Sequence, residues 1–345
     1  MIQFFLKKPK FVIAFLFLFT LLLTSLLYEP LFGDKVFPNR FIFDKEGTII
    51  GSSPFSPSEY PPFGTDRAGV PLLAKIIEGA KYTIITALII STLQVLLSFI
   101  LSIFYSRLPK LLQRGLEGIV ESSLYLPASI IAFMLLAPLQ FYLDPNVASE
   151  NFLKLLSLQI IILTLIGIPQ LVILFTKDIQ KVLNEEYITA SKTLGAHGLR
   201  LYKKHIIPFM VPRLLLQFSQ RTVEVLILLV HLGFLFLFLG GYVMVEVFDG
   251  ESQPFSLSNE WAGEIGKHFR GLSITPWEVY SPLLFFALTV LSFNMITNSI
   301  HEYINSTEIR RKKVNKKRSK EQEKIHSHKL SKERFVFIEK RTSNF

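Results

Sequence analysis

Six long apolar runs decide what this chain can fold into. They span Phe11 to Tyr28, Tyr82 to Tyr105, Ile119 to Tyr142, Phe152 to Thr176, Val223 to Val243 and Val279 to Ile300. Each is about 17 to 25 residues, enough to cross a ~30 Å hydrocarbon layer as a helix. A soluble helix of that length needs a polar face every 3.6 residues. ITALIISTLQVLLSFILSIF and VLILLVHLGFLFLFLGG are apolar nearly all round, so lipid is the expected solvent. The expected fold class is an all-α integral membrane protein with six transmembrane helices, the fifth broken near Pro208 and Pro212.

Loop charge sets the orientation. Arg107, Lys110 and Arg114 follow the second run, and Lys177, Lys181, Lys192, Arg200, Lys203 and Lys204 follow the fourth. Short basic loops stay in the cytoplasm. The connections after runs three and five are acidic, which fits the outside, so both termini are expected inside. The first run has a basic start (Lys7, Lys8, Lys10), but TSLLYEPLFG offers no small-x-small cleavage site. It reads as an uncleaved anchor.

Three parts follow. Residues 1–81 hold the anchor helix and an external segment, with strands or turns around Asp44 to Gly51 and Gly64 and Asp66 as turn residues. That part ends in a short interfacial helix over Ala74 to Lys81, whose polar side carries Lys75, Glu78 and Lys81. Residues 82–305 form the core, with a loop at 177–208. Residues 306–345 form a basic cytoplasmic tail of disordered type, with fourteen Lys or Arg between Arg310 and Arg341 against four Glu. That surplus of ten equals the formal net charge of +10, so the rest of the chain is near neutral. Such a tail is drawn to anionic headgroups. It lacks a folded nucleic-acid reader, and no nucleic-acid partner is expected. With no cysteine, disulfide scaffolds and thiolate metal sites are excluded.

The loop EYITASKTLGAHGLRLYKKHIIP, Glu186 to Pro208, lies between two apolar runs. Glu185 and Glu186 suit a helix N-terminus, Tyr187 to Leu194 make about two turns, and Gly195 suits a left-handed stop. Leu199 to Ile206 form a second short helix leading into Pro208. Thr189, Ala190, Ser191, Gly195, His205, Ile207 and Pro208 fall at the spacing of a known pattern: Glu-Ala-Ala, three residues, Gly, nine residues, an apolar or His position, one residue, Leu-Pro. The loop thus resembles the coupling loop of ABC importer permeases. Thr189 and Ser191 depart from that pattern, standing where it has Glu and the second Ala.

Three further stretches, Phe63 to Ile89, Asn259 to Ile265 and Pro276 to Ile300, resemble the second permease of the oligopeptide, dipeptide and nickel subfamily. Gly69, Val70 and Pro71 replace its usual Gly-Arg-Asp. The resemblance implies a type I permease fold, N-in and C-in, multi-pass in the inner (cytoplasmic) membrane, moving peptides by alternating access. It also implies a second related permease, two ABC ATPase subunits docking at Glu186 to Pro208, an extracytoplasmic binding protein and membrane lipids as partners. A nickel or other small-solute permease, a secondary transporter and a diverged membrane scaffold remain open alternatives.

Arg221 and Glu224 stand three apart in the fifth run, with His231 two turns beyond Glu224. Ionisable groups inside a span usually face a path and not lipid, so Glu224 and His231 are candidate path residues, and an Arg221 to Glu224 pair is expected. The sequence has no Gly-x4-Gly-Lys-Ser/Thr phosphate loop, so ATP is expected to be hydrolysed by partner subunits. No catalytic set, bound cofactor or metal site is expected in this chain.

Overall fold

In a computed structural model, the structure describes residues 2–32, 39–44, 47–141, 151–248 and 251–307. The chain begins with α1 (Ile2–Leu6) and α2 (Pro9–Phe32), followed by a hairpin of β1 (Phe41–Phe43) and β2 (Ile49–Ser52). That hairpin falls where the sequence predicts strands. Next come α3 (Leu72–Tyr105), α4 (Lys110–Ser123), α5 (Ala128–Phe141) and α6 (Phe152–Leu183). A short arm of α7 (Glu186–Thr193) and α8 (Gly198–Leu201) leads through a π turn, Tyr202–Ile206, into α9 (Ile207–Phe234). The chain then runs through a second hairpin, β3 (Tyr242–Phe248) and β4 (Glu251–Ser256), to α10 (Trp261–His268) and α11 (Pro276–Thr307).

Five of these helical stretches are long and apolar enough to span a membrane, and α4 with α5 makes a sixth candidate bent by 84°. At 1.5 Å per residue the 34 residues of α3 extend about 51 Å. It packs on α2, α6 and α9. The main core gathers Leu21, Ile84, Ala132, Leu163, Leu229 and Phe293 from six different helices. Two pairs of hydroxyls meet between helices inside the bundle: Ser91 Oγ lies 2.9 Å from Thr222 Oγ1, and Ser219 Oγ lies 2.6 Å from Thr297 Oγ1. Small polar residues of this kind let apolar spans approach closely.

Several expectations are corrected. The third run is not one straight helix from Ile119, because α4 stops at Ser123 and α5 restarts after Pro127, which is disfavoured inside a helix and restricts the residue before it. The helix expected over Ala74 to Lys81 is no separate element but the first turns of α3. The fifth helix ends at Phe234, not Val243, because Phe236, Gly240 and Gly241 take φ of 59°, 77° and 99°, and left-handed residues end a helix. Pro208 and Pro212 do not break it. Both lie within α9, and the irregularity is the π turn just before them. Residues 308–345, which carry the basic tail, and most of the acidic connection after the third run lie outside the described residues.

Close backbone approach fixes the end opposite α7, called here the outer end. A Cβ on Gly79 would sit 1.9 Å from the Asn259 carbonyl oxygen, and one on Gly233 would sit 2.1 Å from that of Ala262. Trp261, fully buried, donates from Nε1 to the Ile76 carbonyl at 2.8 Å, and its own N–H donates to Thr83 Oγ1 at 3.1 Å. The segment after α9 is thereby folded back onto α3 and α9.

Candidate functional site

The arm at the inner end is built around one anchor. Ile188 of α7 is fully buried in a second core cluster with Val95, Phe175, Ile179, Leu201 and Met210, which belong to α3, α6, α8 and α9. The opposite side of α7 is open: Tyr187 is 46% and Leu194 89% exposed. Glu186, Thr189, Ala190 and Gly195 are exposed, and Ser191 is half-buried with its hydroxyl donating to the Tyr187 carbonyl at 2.7 Å. Glu186 stands in the first turn and Lys192 in the last, each matching the helix dipole. Gly195, at φ 89°, closes the helix: its N–H bonds the Lys192 carbonyl at 3.0 Å and the Ala196 N–H bonds that of Ser191 at 2.9 Å. This is a Schellman stop.

Ile207 is half-buried and Pro208 exposed at the start of α9, and the His205 and Tyr187 rings lie 6.1 Å apart, tying that start to α7. The structure thus brings Glu186 to Pro208 together as one arm with a locked side and an open side. Two features of its base were not read from the sequence. Arg213 Nη1 on α9 donates to Asp178 Oδ1 on α6 at 2.7 Å, and the Arg213 guanidinium lies 4.4 Å from the Phe209 ring centre. Asp178 and Arg213 are 35 residues apart, too far for any local pattern to link them.

Midway along α9, Arg221 Nη1 pairs with Glu224 Oε2 at 2.8 Å, the expected ion pair, and Arg221 also donates to Gln170 Oε1 on α6 at 3.3 Å. The Glu224 side chain is 57% exposed and His231 is exposed one heptad on, so the two share one face of the helix. Arg221 and Glu224 line a cavity of about 130 Å³ at the α4–α5 bend, with Gln94, Gln170, Ser123 and Leu228.

At the outer end lies a buried charge cluster. Lys75 Nζ is 2.8 Å from Asp66 Oδ2 and 3.4 Å from Glu264 Oε2, all three side chains almost fully enclosed. Asp66 keeps its expected turn role as well, accepting the Val70 N–H at 2.8 Å through Oδ1. Lys75 does not face outward with Glu78 and Lys81, because α10 covers that side of α3 with Glu264. On α10, outside the spans, burial pushes Glu264 up, but the Lys75 and Lys267 charges prevail and hold it below the usual carboxylate range. Burial, reinforced by the Lys75 charge, brings Lys267 down to about 8; its Nζ sits 3.2 Å from the Phe255 ring centre. Burial and the charges of Lys267 and Lys75 hold His268 well below the ordinary imidazole value. His268 is therefore neutral at neutral pH, and its 3.7 Å approaches to Glu264 and Glu278 are not ion pairs.

Beside this cluster Glu260 ties the loop after α9. Its Oε1 accepts the Leu239 N–H at 3.0 Å, and Oε2 accepts from the hydroxyls of Ser258, at 2.7 Å, and Ser256. Burial pushes Glu260 up to about 7 in spite of these donors. Gln159 completes the clamp, accepting the Gly240 N–H at 2.8 Å and donating to the Phe238 carbonyl at 2.9 Å. The one legible sign of this region was NEWAGEI. Its acidic charge fits the outside, and within that outer region Glu260 and Glu264 are buried.

Residues 94–309 match the model of a family described as binding-protein-dependent transport system inner membrane component. The peptide transport system permease protein SapC of Haemophilus influenzae is 24% identical over 290 residues, 82% of this chain and 88% of that one. The dipeptide transport system permease protein DppC of Bacillus subtilis is 21% identical over 309 residues (87% and 83%), and the oligopeptide transport system permease protein OppC of the same organism 21% over 299 (87% and 86%). Such systems couple an inner membrane component to an ATPase, which hydrolyses the ATP, and to a binding protein. The chain belongs to the binding-protein-dependent transport system inner membrane components, as a non-catalytic, multi-pass permease subunit of an ABC importer.

Proposed function

We propose that this permease imports peptides, that it forms the path together with a second related permease, and that two ATPase subunits engage it through α7. The observation that carries this reading is the two-sided arm. Ile188 ties α7 to α3, α6 and α9, while Tyr187 and Leu194 present large apolar surface to the outside. Apolar side chains exposed on a polar loop suit a protein partner, and a partner that pulls on α7 moves the inner ends of three spans together. The small residues Thr189, Ala190 and Ser191 on α7 allow close approach. Glu224 and His231 face the path, since an ionisable residue in a span faces protein or water before lipid. Peptide cargo is supported by the peptide, dipeptide and oligopeptide transport systems to which SapC, DppC and OppC belong. The basic tail lies against anionic lipid.

The test is mass spectrometry of proteins that co-purify with the intact chain from gently solubilised membranes, beside Gly195→Val and a form lacking Asn315 to Phe345. Valine is strained at φ 89° and disturbs the helix stop. Two ATPases, a second permease and a peptide-binding protein are expected with the intact chain and the truncated form, with ATPase lost from Gly195→Val. ATPase lost on truncation but kept in Gly195→Val would favour a tail-held scaffold. Transport unchanged in a Glu224→Gln, His231→Ala double variant would remove those two residues from the path.

A further inference from the structure

The cavity at the α4–α5 bend supports an inference that rests on the peptide reading above. Its volume of about 130 Å³ leaves room for several waters. Gln94 reaches it from α3 across Gly167 of α6, where a Cβ would lie 2.3 Å from Gln94 Nε2. Glycine at 167 is what lets the Gln94 amide cross between the helices. Its Nε2 donates to the Leu163 carbonyl at 3.0 Å, which leaves Oε1 buried with no hydrogen-bond partner among the described residues. Arg221 is in the same position: its Nη atoms are engaged by Glu224 and Gln170, while Nε is buried and unpartnered among the described residues. Leaving such a group unsatisfied is destabilising.

The charges of the lining cancel, Arg221 against Glu224, so the cavity does not select a charged cargo. What remains is one unpaired N–H donor on α9 and one unpaired carbonyl acceptor on α3, carried by two residues that line the cavity. A backbone peptide unit is their complement, and it is the part of a peptide that does not depend on side chains.

We propose that Gln94 and Arg221 form a subsite for one peptide unit of the cargo, Arg221 Nε–H donating to its carbonyl and Gln94 Oε1 accepting its N–H. Both atoms sit beneath the cavity wall, and side-chain rotation brings them to the cargo. The geometry gives recognition of the backbone without a preference for sequence.

The complete transporter, with partner permease, ATPases and binding protein, is reconstituted in vesicles. Import of trialanine and of trialanine methylated at its central amide nitrogen is measured per assembled complex. Affinity of the isolated binding protein for the two peptides gives its own share of any discrimination. The wild type is expected to discriminate about tenfold beyond that share. Gln94→Met is expected to import trialanine about tenfold more slowly and to lose the extra discrimination, which a merely structural role would not change. Arg221→Lys keeps the charge but loses Nε–H, and is expected to slow both peptides by a similar factor. If Gln94→Met does not assemble, the wild type decides: no discrimination beyond the binding protein's share would overturn the subsite. Wild-type rates for both peptides in both variants, or equal slowing of both in Gln94→Met, would overturn the subsite. A wild-type complex that hydrolyses ATP in response to another solute but imports no trialanine would end the peptide reading, and the subsite with it.

Discussion

At the outer end, Asp66, Lys75, Glu264, Lys267, His268 and Glu278 meet away from water, and Gly79 and Gly233 bring backbones into contact. At the inner end, α7 reaches the bundle through Ile188, while Tyr187 is partly exposed and Leu194 almost wholly so. Charge and close packing hold the first region at many points, so a change at any one of them disturbs the rest. The second is held mainly by apolar contacts, Ile188 in its cluster and the Tyr187 ring near His205, and on the proposed reading it transmits a push from a partner. On the proposed function, the contrast separates residues that keep the fold from residues that pass motion through it.

The sharpest way to break the comparison is to remove Lys75. Lys75→Met leaves Asp66 and Glu264 buried without their shared cation, and breaking a buried pair costs about 3–5 kcal/mol. Protein level and thermal unfolding in detergent should both fall steeply. Ile188→Ala comes next, at about 2–5 kcal/mol for truncating a fully buried side chain. Its loss should be confined to the arm, so that the variant remains in the membrane but recovers little ATPase on purification. Equal loss of membrane protein in both variants would erase the distinction between the ends.

Glu260 gives a smaller effect with a definite sign. Its carboxyl is raised from 4.5 to about 7 in the folded protein, so the native state binds the proton more tightly than the unfolded chain. The resulting stability is fully present below pH 4.5 and is lost as pH rises through 7. Between pH 6 and 8 the change is on the order of 1 kcal/mol, since one pKa unit is worth about 1.4 kcal/mol. The unfolding midpoint should drop across that window in the wild type and stay flatter in Glu260→Gln. Leu194→Ser should change stability least, by no more than about 0.5 kcal/mol, because Leu194 is 89% exposed. Even so, it should lower ATPase recovery. Full recovery would place the docking face elsewhere on the arm.

The sequence made α2, α3, α6 and α11 legible because lipid-facing helices are apolar on every side. It made α7 legible because Glu186 and Gly195 mark its two ends. Lys75 was misread for a physical reason. The helical period shows that a side of α3 is polar, but not whether water or Glu264 covers it, and that cover comes from 189 residues away. The end of α9 was misread because VHLGFLFLFLGG remains apolar past the stop, which is set by backbone torsion at Phe236, Gly240 and Gly241. Ser123 to Ala128 hides its bend in the same way: the run is continuous in hydropathy, and only Pro127 marks the break.

The contacts of α10 also set an order of assembly. Trp261 finds Thr83 and Ile76 across 178 and 185 residues of chain, and Glu264 finds Lys75 across 189. None of these links can form until five of the apolar runs have been made. Until then Lys75 has Asp66 as its near partner but not Glu264, and the outer end closes as a late step over helices already inserted, as expected where loop closure precedes the reward of distant contacts. A chain that stalls before residue 261 has inserted spans and the arm of α7, but lacks the contacts of Trp261 and Glu264 that close the outer end.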